Sequence, residues 1–364
     1  MNLWRESILW IIIILIIIPW FGLWFFKKLG IVEHKKWAAY YQRIPVPNAQ
    51  GIWLWLTLVA VISILGWNYI GNQHTLIYIG SITVLSLIAT IDLFRPIPSW
   101  IRLAAQIILF ASIVYYGWVS IDVIRTSTGD LSLSSWIAII GSIVWFALCT
   151  NAINRFDGIQ GQASGVTTIG SFSLLAVVSF IVLPSYTELT PFVRDQLEIT
   201  KIIALSLGLV SLVYTFIEYK PLGLVRDIGT TIFWFSLAYL ALLWGAKVGT
   251  LIVTLSIVLF DSLRVIANRL FVLKKNPMKG DYTHLHHRLL ANGWSRSETR
   301  WFVWIRSGLL SVLMLLQGTN SINKRIIFIM MAALFFWLNI YLFWIKKLPT
   351  EMKVTFKTEE VNRL

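Results

Sequence analysis

Three of the chain's five histidines, His284, His286 and His287, fall within four positions of the stretch DYTHLHHRLL, Asp281 to Leu290. Each imidazole can donate or accept a hydrogen bond and titrates near neutral pH. The surrounding segment 264–300 is the most polar and basic of the chain and carries Arg264, Arg269, Lys274, Lys275, Lys279, Arg288, Arg296 and Arg300. Clustered imidazoles on a basic background suit a polyanion such as a diphosphate. Two plainer readings compete: a zinc site, and a basic loop lying at a membrane surface. Zinc is disfavoured, because no cysteine lies nearby and the spacing lacks the i, i+4 histidine pair of helical zinc motifs.

Carboxylates and amides form the second set. Asp92 ends an apolar run in LIATIDLFRPIPSWIRLAAQI, and Arg102 opens the next, so a helix-end ion pair is the ordinary reading there. In CTNAINRFDGIQGQASG, Asn151, Asn154 and Asp157 recur every third residue and share one face if the helix continues. Gly158 and Gly161 then break the chain into a turn. Three oxygen-bearing side chains before a glycine turn suit a hard cation or a phosphate; a polar helix end with a glycine cap is the plain alternative. Asp227, in YKPLGLVRDIGTTIFWF, reads as a ligand or as a helix N-cap. Asp261 has Arg264 one turn on, which predicts an i, i+3 ion pair.

The elements that must position these residues are apolar helices. The chain is 57% hydrophobic and 13% charged, with a mean hydropathy of +0.74 and 19 Trp. That composition predicts an all-α polytopic membrane protein. Eleven segments read as spans: 8–26, 52–71, 75–94, 100–121, 135–152, 165–184, 199–217, 228–243, 246–263, 302–318 and 326–345. The first is long enough to span and is followed by Lys27 and Lys28, so no cleavable signal peptide is expected. The single Cys149 excludes an intramolecular disulfide.

The bias of Lys and Arg among the loops places the N-terminus outside and the C-terminus in the cytoplasm. The expectation is one integral-membrane domain over 1–364, with the histidine and basic loop 264–300 inside it and a basic cytoplasmic tail, 346–364. Pro45 and Pro47 predict an extended stretch in the first cytoplasmic loop.

On this topology Asp92, Asn154, Asp157, Asp227, Asp261 and the histidines all meet the cytoplasmic face. The net charge of +14 also lies mostly on that face, where it attracts anionic lipid or a nucleotide-linked substrate. No soluble module carries it, which argues against nucleic acid. A transporter or flippase would place charges near the bilayer midplane and show inverted repeats, and the sequence shows neither. Acids able to hold Mg²⁺, facing basic and imidazole groups, fit phosphoryl transfer from a soluble diphosphate to a membrane lipid phosphate.

Over nearly its whole length the chain resembles the polyprenyl-phosphate N-acetylhexosamine-1-phosphate transferases, which start O-antigen, enterobacterial common antigen and teichoic-acid linkage units. The phospho-MurNAc-pentapeptide translocase of peptidoglycan synthesis is a distant member. LIATIDLFRPIPSWIRLAAQI is similar to the family's Asp-Asp segment, NAINRFDGIQG to NAxNxxDGxDG, LVRDIGT to FMGDxGS, and FDSLRVIANR with DYTHLHHRLL to the closing Asp, Arg and HxHHRLL segments.

The resemblance implies Mg²⁺ (or Mn²⁺) on Asp227, with Asp92 and Asp157 as further metal or catalytic acids. It places Asn151, Asn154, Gln160, Arg102, Asp261, Arg264 and Asp281 around the substrates. His284, His286, His287 and Arg288 would hold the donor diphosphate or its sugar. The reaction implied is UDP-sugar plus undecaprenyl phosphate giving undecaprenyl-diphospho-sugar plus UMP, at the cytoplasmic face of a bacterial inner membrane. The partners are the lipid phosphate, the nucleotide sugar and the membrane; the oligomeric state stays open, a homodimer included.

The chain departs from the family pattern at Leu93 (second Asp of the pair), Gln160 (the uracil-recognising Asp), Leu224 (an aromatic), Arg226 (a Gly) and Glu218 (an Asn). It also lacks the Arg-Lys-x-His run of the first loop. Gln160 still offers an amide to a nucleobase edge, and Glu218 an acid. These departures keep open a second reading, a lipid-phosphate-binding or scaffold protein of glycan assembly.

Overall fold

The computed structural model describes residues 2–33, 44–121, 123–126, 129–152, 158–185, 188–243, 248–274, 283–316 and 321–345. In chain order the helices are α1 (Asn2–Lys28), α2 (Gly51–Leu65), α3 (Gln73–Phe94), α4 (Ser99–Gly117), α5 (Ser135–Ala147), α6 (Gln162–Val177) and α7 (Pro191–Tyr219). They continue with α8 (Arg226–Leu242), α9 (Val248–Thr254), α10 (Ser256–Ala267), α11 (Leu285–Ala291), α12 (Arg296–Leu316) and α13 (Ser321–Ile345). Helices α5, α6 and α10 each run on into a wide π-turn, over Leu148–Ala152, Val178–Val182 and Asn268–Val272. The all-helical expectation needs one amendment. An antiparallel hairpin, β1 (Val123–Thr126) with β2 (Gly129–Ser132), lies between α4 and α5, with Val123 opposite Ser132.

Each of the eleven apolar segments is helical, but the helices differ in reach. Among the described residues six are long and apolar enough to cross a membrane: Ser7–Lys28, Gln73–Phe94, Ser99–Gly117, Gln162–Ser185, Pro191–Tyr219 and Arg296–Leu316. Val248–Thr254 and Ser256–Val272 make a seventh if counted as one span broken by an 82° bend. Gly51–Leu65, Ser135–Asn151 and Arg325–Leu338 are shorter apolar helices, and α8 has 17 residues. At a rise of 1.5 Å per residue, α8 reaches about 26 Å, short of a bilayer core of roughly 30 Å. The chain is thus a multi-pass membrane protein in which full-length and partial helices are mixed.

Helix α8 is the centre. Every residue from Ile228 to Leu242 is buried, and α2, α3, α5, α6, α7 and α9 pack around it. An aromatic layer built on Phe235 joins these helices: Phe110 of α4 at 6.1 Å, Phe146 of α5 at 5.5 Å and Tyr78 of α3 at 6.4 Å between ring centroids. The polar tips find partners between helices. The Tyr78 hydroxyl donates to Ser236 Oγ (2.7 Å), Tyr239 to the His74 carbonyl (2.9 Å) and Trp145 Nε1 to the Ala238 carbonyl (3.2 Å). Each such bond contributes about 0.6–2 kcal/mol where water is absent.

These pairings fix the directions of the helices. Tyr78 with Ser236 and His74 with Tyr239 make α3 antiparallel to α8. The C-terminal end of α3, with Asp92, therefore stands at the N-terminal end of α8, with Asp227. Helix α4 turns back from that end and runs parallel to α8. Arg102 lies eight residues before Phe110, as Asp227 lies eight before Phe235. Both therefore stand about 12 Å from the aromatic layer along their axes.

Candidate active site

The histidine segment hangs on one buried acid. Asp261, fully buried on α10, takes His284 Nδ1 at 2.8 Å on one carboxylate oxygen. The other oxygen accepts the Leu285 backbone N–H at 3.0 Å and Arg264 Nη2 at 3.1 Å. Arg264 also donates to the Thr283 carbonyl. Asp261 therefore stabilises the start of α11 and fixes the His284 ring so that its Nε2 faces away from the carboxylate. His286 stacks at 5.9 Å from His284 and 4.1 Å from His287. All three histidines and Arg288 are buried. From His284 to Arg288 the chain is packed into the protein. Burial lowers the Arg288 pKa to about 10, the Arg264 charge acts in the same direction, and Asp261 opposes them. Arg288 stays cationic at neutral pH.

His286 brings in the second motif. A Cβ built at Gly158 would fall 1.9 Å from His286 Nε2, so this imidazole occupies space that only glycine leaves. The glycine turn expected at 158–161 is present, with Gly161 at φ +77°. Within it the Gln160 carbonyl accepts from Arg300 (2.7 Å), whose guanidinium lies 4.2 Å over the Tyr219 ring. The Gln160 amide donates to the Ile44 carbonyl at 3.3 Å. The turn is thereby tied to the first inter-helix segment.

That segment is extended around its prolines, as expected. Val32 and Pro47 form an antiparallel bridge, and the Glu33 N–H donates to the Val46 carbonyl at 3.0 Å. It is stitched to the chain before α8: the Leu224 N–H donates to the Pro47 carbonyl and the Gln50 N–H to the Leu224 carbonyl, both at 2.9 Å. Gly51 lets α2 approach α8, since a Cβ there would lie 2.4 Å from the Gly229 nitrogen. Glu218 accepts from Ser164 Oγ (2.7 Å) and from the Val225 N–H (3.2 Å), and is buried. It anchors the chain ahead of α8.

Asp227 stands beyond these anchors. It lies in the first turn of α8 with Val225 at the cap position, so the N-cap reading of Asp227 is corrected by two residues. Its side chain is exposed, and no described residue gives it a hydrogen bond or ion pair. Arg226 before it adopts φ +55°, a conformation that costs a non-glycine residue about 1–2 kcal/mol. The Arg226 guanidinium turns to Glu33 at 2.5 Å and does not cover Asp227.

Asp92 is half-buried and engaged: one oxygen accepts the Ile97 N–H at 2.8 Å and the other pairs with Arg102. The helix-end pair is what the structure shows. Asn151 sits in the π-turn after α5 and donates to Gln106 (2.7 Å). Asn154, Asp157 and Asp281 lie outside the described residues, as does the tail 346–364. Among the described residues no three of His, Cys, Asp and Glu are gathered tightly enough to share a metal ion. Asp227, exposed at the N-terminal end of α8, offers one carboxylate of the kind that Mg²⁺ takes alongside phosphate and water.

Two residues the sequence reading passed over belong here. Gln50 is fully buried beside the start of α8, and among the described residues neither amide atom of its side chain has a hydrogen-bond partner. Its signal is an amide directly before the glycine that opens α2. Glu33 is the lone acid of an otherwise basic stretch.

The family model described as "Glycosyl transferase family 4" matches residues 75–245, from α3 through the end of α8. The chain is 26% identical over 320 residues to the "Probable undecaprenyl-phosphate N-acetylglucosaminyl 1-phosphate transferase" of Bacillus subtilis (strain 168), covering 83% of this chain and 82% of that protein. It is also 26% identical over 230 residues to the "Phospho-N-acetylmuramoyl-pentapeptide-transferase" of Latilactobacillus sakei subsp. sakei (strain 23K), covering 60% and 64%. These matches make the chain similar to the transferases they name, and the described segments that carry the similarity gather at one end of a multi-pass helical protein.

Proposed function

We propose that this protein transfers an N-acetylhexosamine-1-phosphate from its UDP-sugar to undecaprenyl phosphate at the cytoplasmic face of a bacterial inner membrane. The oxygen of the lipid phosphate attacks the sugar-bearing β-phosphorus of the donor. The bond from that phosphorus to the bridging oxygen breaks, and UMP leaves with the bridging oxygen. The product is an undecaprenyl-diphospho-sugar, the first lipid-linked unit of an envelope glycan such as a teichoic-acid linkage or a lipopolysaccharide chain.

Asp227 would hold Mg²⁺ (or Mn²⁺), which when bound neutralises charge on the diphosphate. The remaining work belongs to the chain. His284, oriented by Asp261, His286 stacked on it, and His287 beside His286 face the diphosphate or its sugar, with Arg288 as a fixed cation. The Gln50 amide, which has no partner among the described residues, suits a phosphate oxygen. Holding both substrates at one membrane face converts an encounter into a positioned reaction. The observation that carries this reading is the seating of His286 on Gly158, which joins the histidine segment to the turn after α5 across more than a hundred residues of sequence.

A second reading, lipid-phosphate binding without turnover, is favoured by one observation: both oxygens of Asp92 are already engaged and Leu93 follows it. One assay separates the two. Purified protein in undecaprenyl phosphate vesicles with Mg²⁺ is given a panel of UDP-N-acetylhexosamines, and UMP is measured. Turnover by the wild type, reduced at least about a hundredfold in Asp227→Asn with an unchanged melting temperature, is expected. No UMP from any donor, with retained lipid binding, would leave the scaffold reading standing.

A further inference from the structure

No described residue gives the Asp227 carboxylate a hydrogen bond or ion pair, so among the described residues its restraint acts through its chain neighbours. The chain leading to it is fixed at Leu224 by Pro47 and Gln50, and at Val225 by Glu218. The last restraint before the acid is the side chain of Arg226. It crosses to Glu33, 193 residues away in sequence, with Nη1 2.5 Å from Oε1. Glu33 is 3% exposed, and among the described residues its other oxygen has no hydrogen-bond partner. The Arg226 carbonyl accepts from Thr230 Oγ1 at 3.1 Å, inside α8.

A non-glycine residue in the left-handed region persists only where its surroundings over-determine it. A buried ion pair is also a weak source of net stability, because desolvation opposes the attraction. A glycine at 226 facing an apolar side chain at 33 would satisfy both the backbone and the core. The combination present here therefore has a different product, which is position: one ion pair joins the extended segment 31–33 to the residue immediately before the exposed acid.

We infer that Glu33 and Arg226 are a positioning pair that sets where the Asp227 carboxylate stands and so how tightly a divalent cation is held at the N-terminal end of α8. The inference rests on the transferase reading for the identity of the ligand, and on geometry alone for the restraint. Arg226 is 21% exposed and Glu33 1% by side chain, so the pair is reached by water from the Arg226 side only. That asymmetry makes Glu33 the fixed post and Arg226 the arm.

The test compares wild type, Glu33→Gln, Arg226→Gly, Arg226→Lys and the double variant E33Q/R226G. Tyr78→Phe serves as a destabilised control that breaks a bond in the distant aromatic layer. Two readouts are taken on full-length protein: amide hydrogen exchange of 223–230, and Mn²⁺ affinity by electron paramagnetic resonance. Glu33→Gln and Arg226→Gly are expected to speed exchange of that segment and weaken Mn²⁺ binding at least about tenfold, with Arg226→Lys restoring most of both. Tyr78→Phe should lower the melting temperature without moving either readout.

If exchange and Mn²⁺ affinity in Glu33→Gln and in the double variant match the wild type, the positioning role is overturned. If the wild type releases no UMP, the transferase reading fails instead, while the exchange comparison still decides whether the pair holds the segment.

Discussion

Gly158 is where a single hydrogen atom matters most. Its missing Cβ makes room for His286, so Gly158→Ala should displace that imidazole and lower UMP release at least about tenfold, as a misplaced catalytic group does. On a His286→Ala background the same change should add little further loss, because both act on one contact; additive losses in the double variant would sink the coupling. The sequence announced this site only in part. Three histidines in four positions and a D-G turn are visible as types and spacings. That one sits on the other is not, because contacts between residues more than a hundred apart leave no trace in a single chain. Asp261 was legible as the partner of Arg264, one turn away, yet its closer partner is His284, which no helical spacing predicts. Gln50 was passed over because an amide beside a glycine has no periodic signature.

At the scale of elements, the apolar segments read from hydropathy are helical, but one of them holds two helices, α9 and α10, and several reach less far than a span. A window of apolar residues reports burial, and burial by protein resembles burial by lipid. Helix α8 is the clearest case, apolar on every side because other helices surround it. The 82° break between α9 and α10 is likewise hidden, since both halves are apolar. The π-turns that follow α5 and α10 re-aim Asn151 and the chain after Asp261, and one extra residue in a turn is invisible to a period of 3.6. The contact between α2 and α8 gives an element-scale expectation. Gly51→Ala would press a methyl group against the Ile228 side chain (2.6 Å) and the Gly229 nitrogen. It should destabilise the protein by about 1–3 kcal/mol in detergent unfolding. Gly80→Ala, which meets nothing within 4 Å, should be neutral or slightly stabilising. Equal behaviour of the two variants would contradict the close approach.

For the whole molecule, the segments that carry chemistry lie at one end. The other end holds the turn 66–72 and the loop after α4, which are joined by the bond from Gln73 Nε2 to the Tyr116 carbonyl at 2.6 Å. The charge bias of the sequence predicts that the first end is cytoplasmic. Cys149 is buried, so the wild type should resist membrane-impermeant maleimides in intact cells. A cysteine at Trp67, 74% exposed, should label from outside, and one at Lys28 only after permeabilisation. The reverse pattern would place the histidines on the outer face and exclude a cytoplasmic nucleotide sugar as donor.

The complete enclosure of α8 bears on how the protein is made. Seven helices leave the ribosome before it, and until it arrives they enclose an unfilled slot lined by Tyr78, Phe110 and Phe146. A helix with no lipid-facing side has no final resting place in the bilayer itself. It must pass from lipid into protein, carrying Arg226 and Asp227 at its leading end, before the ring around it can close. Assembly of the end that carries Asp227 is therefore coupled to completion of the fold. A chain that stops short of α8 lacks both that exposed acid and the helix on which the others are packed, so a half-made copy has neither the proposed site nor a stable core with which to persist in the membrane.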